Sequence, residues 1–198
     1  GLNRFDGYEF RVHRPSDHDP SATASAYIRD IAVAGRHLFL ATNGGGLVIF
    51  DRFEERFRTL DVDDGLPANH FNAIDLLRPG TLYLASRTGL ARLDWQGDPM
   101  TAAFEVTLLP VGSDPPRTDI WELRRGASGL WVGSGDGLFR VDAADQVSAL
   151  AVAGAERPFN IDSLLEMPAG VLWIGTWNHG LYRVELASGS VRRFLPDA

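Results

Sequence analysis

The stretch LWIGTWNHGLYRVE, Leu172–Glu185, decides the fold because the chain contains it four times in varied form. The other copies are LFLATNGGGLVIFD (Leu38–Asp51), LYLASRTGLARLD (Leu82–Asp94) and LWVGSGDGLFRVD (Leu130–Asp142). The opening GLNRFD, Gly1–Asp6, matches the second half of the unit. The Gly-Leu pairs that open the second half of each unit fall at Gly1, Gly46, Gly89, Gly137 and Gly180, spaced by 45, 43, 48 and 43 residues. A fixed period in this range is the mark of a repeat architecture.

Each unit extends in both directions. Upstream lies an apolar-x-x-apolar step: Ile28/Ile31, Phe71/Ile74, Ile120/Leu123 and Ile161/Leu164. Downstream lies a short apolar or aromatic run, as in RFRTL (Arg56–Leu60) and VRRFL (Val191–Leu195). Each unit therefore holds four runs of about five residues, punctuated by Gly, Asp, Asn and Pro, which is the strand-and-turn pattern. No window keeps a helical period long enough for a helix. Four antiparallel strands per repeat of this length predict a β-propeller blade.

The fold expected is all-β: a propeller segment of four-stranded antiparallel blades. It comprises an N-terminal half-blade over 1–14 and four blades over 27–61, 70–110, 118–151 and 160–196. With strands named a to d, the glycine opening strand c is expected to permit a tight b–c turn at positive φ. The small residues before that turn (Ala41, Ala85, Gly133, Gly175) would let neighbouring blades approach closely. The large strand-b residue (Phe39, Tyr83, Trp131, Trp173) would pack between blades.

These residues resemble the two-component regulator propeller repeat, whose pattern is close to LWIGT-x-x-GGL-x-R-[FY]-D and is often followed by DGLP-x-N. The matches are LWIGTWNHGLYRVE, TNGGGLVIFD, GLNRFDGYEF and DGLPAN (Asp64–Asn69). The resemblance covers essentially the whole chain. It departs in the later loops, SDPPRTD (Ser113–Asp119) and GAERPFN (Gly154–Asn160), and in RTG where the family often has GG. It implies a periplasmic sensor region of an inner-membrane protein, whose output is a histidine kinase or a diguanylate cyclase. It also implies a ring of about seven blades, so the ring is expected to be incomplete here. Its open ends would then support self-association or mark a segment cut from a larger ring, as does an opening Gly1 in place of Met.

Composition narrows the chemistry. The formal net charge is −7 and no basic cluster occurs, which disfavours a nucleic-acid partner. The chain has no cysteine, so thiol catalysis and Cys-ligated metals are excluded. No apolar run approaches a membrane span. No cofactor is called for. The histidines (His13, His18, His37, His70, His179) do not pair at ligand spacing. Asp17 and Asp19 around His18 read as a solvated turn, and Asp61, Asp63 and Asp64 lack a calcium-loop pattern. No Gly-x-Ser-x-Gly elbow is present.

In a propeller the b–c and d–a loops share one face. That places Trp177, Asn178, His179, Arg87, Asp136, Asn69 and His70 on a common rim. Rings stack on sugars while amides and guanidinium groups bond hydroxyls, so the partner expected is a small polar ligand such as an oligosaccharide. The plainer reading is that Trp177 covers a blade end and that DGLPAN is turn chemistry. Two other functions fit the same repeats: a propeller enzyme acting on a carbohydrate or lactone, resembling streptogramin lyases, and a protein-interaction scaffold.

Overall fold

The computed structural model describes residues 1–16, 22–112, 119–155 and 159–195. Asp17, His18, Asp19 and the loop residues 113–118 and 156–158 therefore lie outside the described residues. The described chain is all-β. A two-stranded sheet, β1 (Leu2–Phe5) with β2 (Phe10–His13), precedes four four-stranded sheets. These are β3 (Ile28–Ala34) to β6 (Arg56–Leu60), β7 (Ala73–Arg78) to β10 (Glu105–Leu109), β11 (Ile120–Gly126) to β14 (Val147–Leu150), and β15 (Ile161–Glu166) to β18 (Ser190–Phe194). In each, strands consecutive in sequence are neighbours in the sheet. These are β-propeller blades. The only helical element among the described residues is a 3-10 turn, Val62–Asp64.

Two compact units are formed: Gly1–Leu84 with Ala91–Thr107, and Ala85–Leu90 with Leu108–Ala198. In the first, Phe39, Leu47, Ile49, Phe71, Leu82, Leu84 and Leu93 make a shared core between the sheets β3–β6 and β7–β10. Phe39 is fully buried, its ring 5.2 Å from that of Trp95. On the opposite face of β3–β6, Leu2 packs with Leu40, Val48 and Phe50, and Arg4 and Arg11 both pair with Glu55. In the second unit, Trp131, Leu138, Phe159, Ile161, Leu164, Ile174 and Tyr182 form the core between β11–β14 and β15–β18.

The repeated residues are repeated because each closes a turn. The Thr or Ser ending strand b donates its hydroxyl to the carbonyl of the glycine that opens strand c. The pairs are Thr42 to Gly46 (2.8 Å), Ser86 to Gly89 (3.1 Å), Ser134 to Gly137 (3.0 Å) and Thr176 to Gly180 (2.7 Å). Those glycines have φ of 69°, 126°, 132° and 79°, the region that only glycine enters at no steric cost. The Asp ending strand c caps the next turn. Asp6 accepts from the backbone N–H of Tyr8 and Glu9, Asp51 from Phe53 and Glu54, and Asp142 from Ala144 and Gln146. Asp94 breaks the rule. It accepts from Thr81 Oγ1 and Arg92 Nε, and a longer connection follows, from which the carbonyls of Pro99 and Ala102 accept from Arg58.

Thr42 is wholly buried and its Oγ1 also accepts from Gly45 N–H at 3.0 Å. Thr42→Val keeps the shape and strands both groups, so it is expected to cost about 1–3 kcal/mol. A fall in the urea midpoint without change in slope checks this.

The apolar-x-x-apolar step also has a structural cause. Strand a carries an irregularity in register at its start: Ile28 pairs with Thr42 but Asp30 with Ala41. The same slip separates Ile120 from Glu122 and Ile161 from Ser163. One extra residue inserted into a period of two gives a spacing of three. Ile28 and Ile31, opposite Thr42 and Leu40, thus share a face.

Candidate functional site

The b–c turns are tied down from two sides. Within three of the four sheets, the first turn residue donates its backbone N–H to the carbonyl of the residue preceding strand a: Asn43 to Tyr27 (2.9 Å), Gly135 to Asp119 (3.3 Å) and Trp177 to Asn160 (3.1 Å). The next sheet's d–a connection then comes alongside. In the first unit, Gly44 and Gly46 both donate to the Asn69 carbonyl, and Phe71 N–H donates to Thr42. In the second, Phe159 N–H donates to Gly135 at 3.1 Å. The b–c and d–a segments therefore share an edge in each unit.

Side chains add a third link at one recurring position. The first turn residue meets the residue that precedes strand a of the following sheet. Asn43 Oδ1 lies 2.6 Å from His70 Nδ1. Arg87 Nε lies 3.6 Å from Asp119 Oδ2, both within the second unit. Gly135, which has no side chain, leaves a Cβ position 3.4 Å from Asn160 Oδ1. His70, Asp119 and Asn160 occupy the same place in the repeat.

Asn69 and His70 are thus engaged in holding the first unit's edge. Asn69 also accepts from Val62 N–H through Oδ1 at 3.0 Å. Around it, Asp61 and Asp64 form a reciprocal cap on the 3-10 turn, Gly65 takes φ 94°, and Leu66 is buried in the core. DGLPAN accordingly builds a turn and anchors it.

In the second unit, one edge carries Arg87, Asp119, Asp136, Asn160 and the turn Trp177–His179 in sequence, linked by the contacts above. Trp177 is 79% exposed and Asn178 is exposed. His179 is half-buried. Its N–H donates to Thr176 Oγ1, and its carbonyl accepts from Arg193 Nε at 2.8 Å. That Arg193 guanidinium lies over the Tyr182 ring at 5.4 Å, which fixes the outer strand under the turn. The edge offers an indole, an amide, an imidazole, a guanidinium and carboxylates. Such groups can stack on and hydrogen-bond a polar ligand. Beside Asp136 opens a cavity of about 600 Å³, lined by Leu138, Leu150, Val152, Ala155 and Phe159 among others.

Among the described residues, no group of three or more His, Asp or Glu could hold a metal, and no helix is long and apolar enough to cross a membrane.

No protein-family model matches the chain, and no curated protein matches it in sequence. Its fold is found in solved structures. The extracellular domain of BT4673 from B. thetaiotaomicron, described as a hybrid two-component system, superposes with a TM-score of 0.71 at 24% identity, over 87% of this chain and 22% of that one. PorZ, a surface component of the type-IX secretion system of Porphyromonas gingivalis, gives 0.74 at 14% identity over 98% of this chain and 31% of PorZ. A virginiamycin B lyase from Staphylococcus aureus, solved in inactive form with quinupristin, gives 0.64 at 11% identity over 86% of this chain and 56% of the lyase. The chain thus spans less than a third of the BT4673 and PorZ structures. What the three share with it is the propeller-blade fold, and one fold serves many functions.

Proposed function

We propose that this chain is part of the extracytoplasmic sensor propeller of a bacterial two-component-type signalling protein. Its place is the periplasm, and its output is a histidine kinase or diguanylate cyclase carried elsewhere in the protein. The observation that carries this is the pairing of the repeat LWIGT…GLYRVE with a fold that matches the extracellular domain of a hybrid two-component system over 87% of the chain. The ligand is a small polar molecule of the oligosaccharide type, held at the second unit's edge by Trp177, Asn178, His179, Arg87 and Asp136. Asn69 and His70 give the equivalent edge of the first unit. Ligand binding biases two arrangements of the sensor, by no more than the difference in its affinities for them. The reading assigns no catalytic step to the chain.

Trp177 is the residue to test, because it supplies the exposed indole of that edge. A glycan-array screen of the protein, repeated with Trp177→Ala, tests the site. Loss of one stacked ring is expected to weaken binding about tenfold. Binding unchanged in the variant removes Trp177 from the site, and an empty array removes the oligosaccharide.

A further inference from the structure

The two-stranded sheet β1–β2 leans on β3–β6 through one face. Two strands alone are marginal in water, so this sheet depends on what that face meets. The face carries Leu2 and Arg4 from β1 and their cross-strand partners His13 and Arg11 from β2. The other face turns Phe5, Phe10 and Val12 to solvent. His13 lies against two rings of β3–β6, 4.9 Å from Phe50 and 5.4 Å from Phe57, and those rings stack on each other. Its Nε2 is buried, with no hydrogen-bond partner among the described residues. The charged groups about it are Arg11 on its own strand, Arg4 on β1, and Glu55 on the turn before β6, which both arginines engage.

We propose that His13 is an acid-released latch: protonation of its imidazole detaches the β1–β2 sheet from β3–β6 and leaves the rest of the first unit folded. An imidazolium carries a hydrogen on both ring nitrogens. At Nε2 that hydrogen would meet no oxygen or nitrogen acceptor, and the charge would sit against Phe50 and Phe57. Arg4 and Arg11 add like charge, offset in part by Glu55. Burial first, then Arg11, hold the imidazole below its ordinary value of 6.5, with Glu55 opposing and Arg4 assisting. Once undocked, the ring takes its proton in water. A group depressed in the docked state contributes stability that is full above its undocked value and is lost as pH falls toward the docked one. Acid therefore favours release, by up to about tenfold in the opening equilibrium per pH unit below about 6.5. The core shared by β3–β6 and β7–β10 contains no residue of β1 or β2, so it survives the release. The latch goes beyond the sensor reading and stands whether or not Trp177 meets a ligand.

Hydrogen exchange of the full chain, corrected for the intrinsic effect of pH on amide exchange, reads the release. Between pH 7.5 and pH 5, a window above the ordinary carboxylate range, protection of the β1–β2 amides is expected to fall about tenfold. The strands of β3–β6 should keep theirs. His13→Phe and His13→Leu keep an apolar side chain against Phe50 and Phe57 but cannot take a proton, so their protection should not change with pH. Three results overturn the proposal: unchanged protection in the wild type, an equal fall in a variant that is docked at pH 7.5, or a loss spread across the whole first unit. Should neither variant dock at pH 7.5, NMR of the wild-type His13 ring decides. Its protonation and the loss of β1–β2 protection must share one midpoint, and two separate midpoints overturn the latch.

Discussion

Replacing Gly133 by valine is expected to destabilise the second unit by about 3 kcal/mol or more, at the upper end of what overpacking costs. Gly133 sits in β12 (Gly129–Ser134), buried, where the strand faces the neighbouring sheet. A Cβ at that position would lie 2.5 Å from Ile161 Cγ2, 3.0 Å from Ile161 Cβ and 3.3 Å from Leu164 Cδ1. Ile161 and Leu164 are 1% and 4% exposed and belong to the next sheet's first strand. They have no room to retreat, because the interior is close-packed. Alanine already imposes the Cβ clash, and valine adds two methyl groups. Gly133→Ala should therefore fall between wild type and Gly133→Val in thermal midpoint. A Gly133→Val protein as stable as the wild type would mean that the two sheets do not approach as described.

The repeat was readable because its residues serve turns rather than packing. Thr176 and Gly180 recur as types since a hydroxyl and a positive φ close the b–c turn of every sheet, whatever surrounds it, while the acid ending strand c caps the next turn at Asp6, Asp51 and Asp142. The apolar face is less constrained: Phe39, Tyr83 and Trp131 fill one position with three shapes, yet all are at most 1% exposed. The close approach expected at Gly133 is there, against Ile161 and Leu164. The strand-a bulge left a trace, the step of three between Ile28 and Ile31, but spacing alone does not say which residue is extra. Pair registers do.

The edge residues were harder to read, and for a physical reason. A turn side chain is chosen for its partner in the next repeat, which is about 30 residues away and varies with it. Arg87 reads as a free rim guanidinium until Asp119 is seen 3.6 Å from it. His70 reads as a candidate contact until Asn43 is found at 2.6 Å. The cavity beside Asp136 had no signal at all, since its lining comes from a turn, two strands and a loop whose residues are ordinary apolar ones. Of the sequence candidates, Trp177, Asn178 and His179 are the ones still best placed to meet a ligand.

Glu166 is the residue that no repeat pattern announces, and its replacement should have the other large effect. It ends β15, opposite the preceding sheet, and gathers four donors. Trp131 Nε1 lies at 2.8 Å, Ser128 Oγ at 2.9 Å, Gly170 N–H at 3.0 Å and Ser128 N–H at 3.2 Å. A Cβ on Gly126 would stand 2.0 Å from Glu166 Oε2, so that glycine makes room for the carboxylate. Burial by itself would push the Glu166 carboxyl up. The donors, Trp131 first, outweigh it and hold the carboxyl below its ordinary value of 4.5. Removing the carboxylate strands Trp131 Nε1, which is 1% exposed with its ring, together with backbone N–H groups. Glu166→Ala should therefore cost about 3 kcal/mol at pH 7. Glu166→Gln keeps one acceptor but turns an amide N–H₂ towards donors, at about 2 kcal/mol. The pH dependence has a definite sign. A carboxyl whose folded value is depressed contributes stability that is fully present above its unfolded value and is lost as pH falls through the folded one. Wild type and Glu166→Gln should thus differ most at neutral pH and converge on acidification below about 4.5. Chemical denaturation of both proteins from pH 7 to pH 3 measures the gap directly. A gap that stays constant across that range would show that Glu166 holds the two sheets together by shape and not by charge.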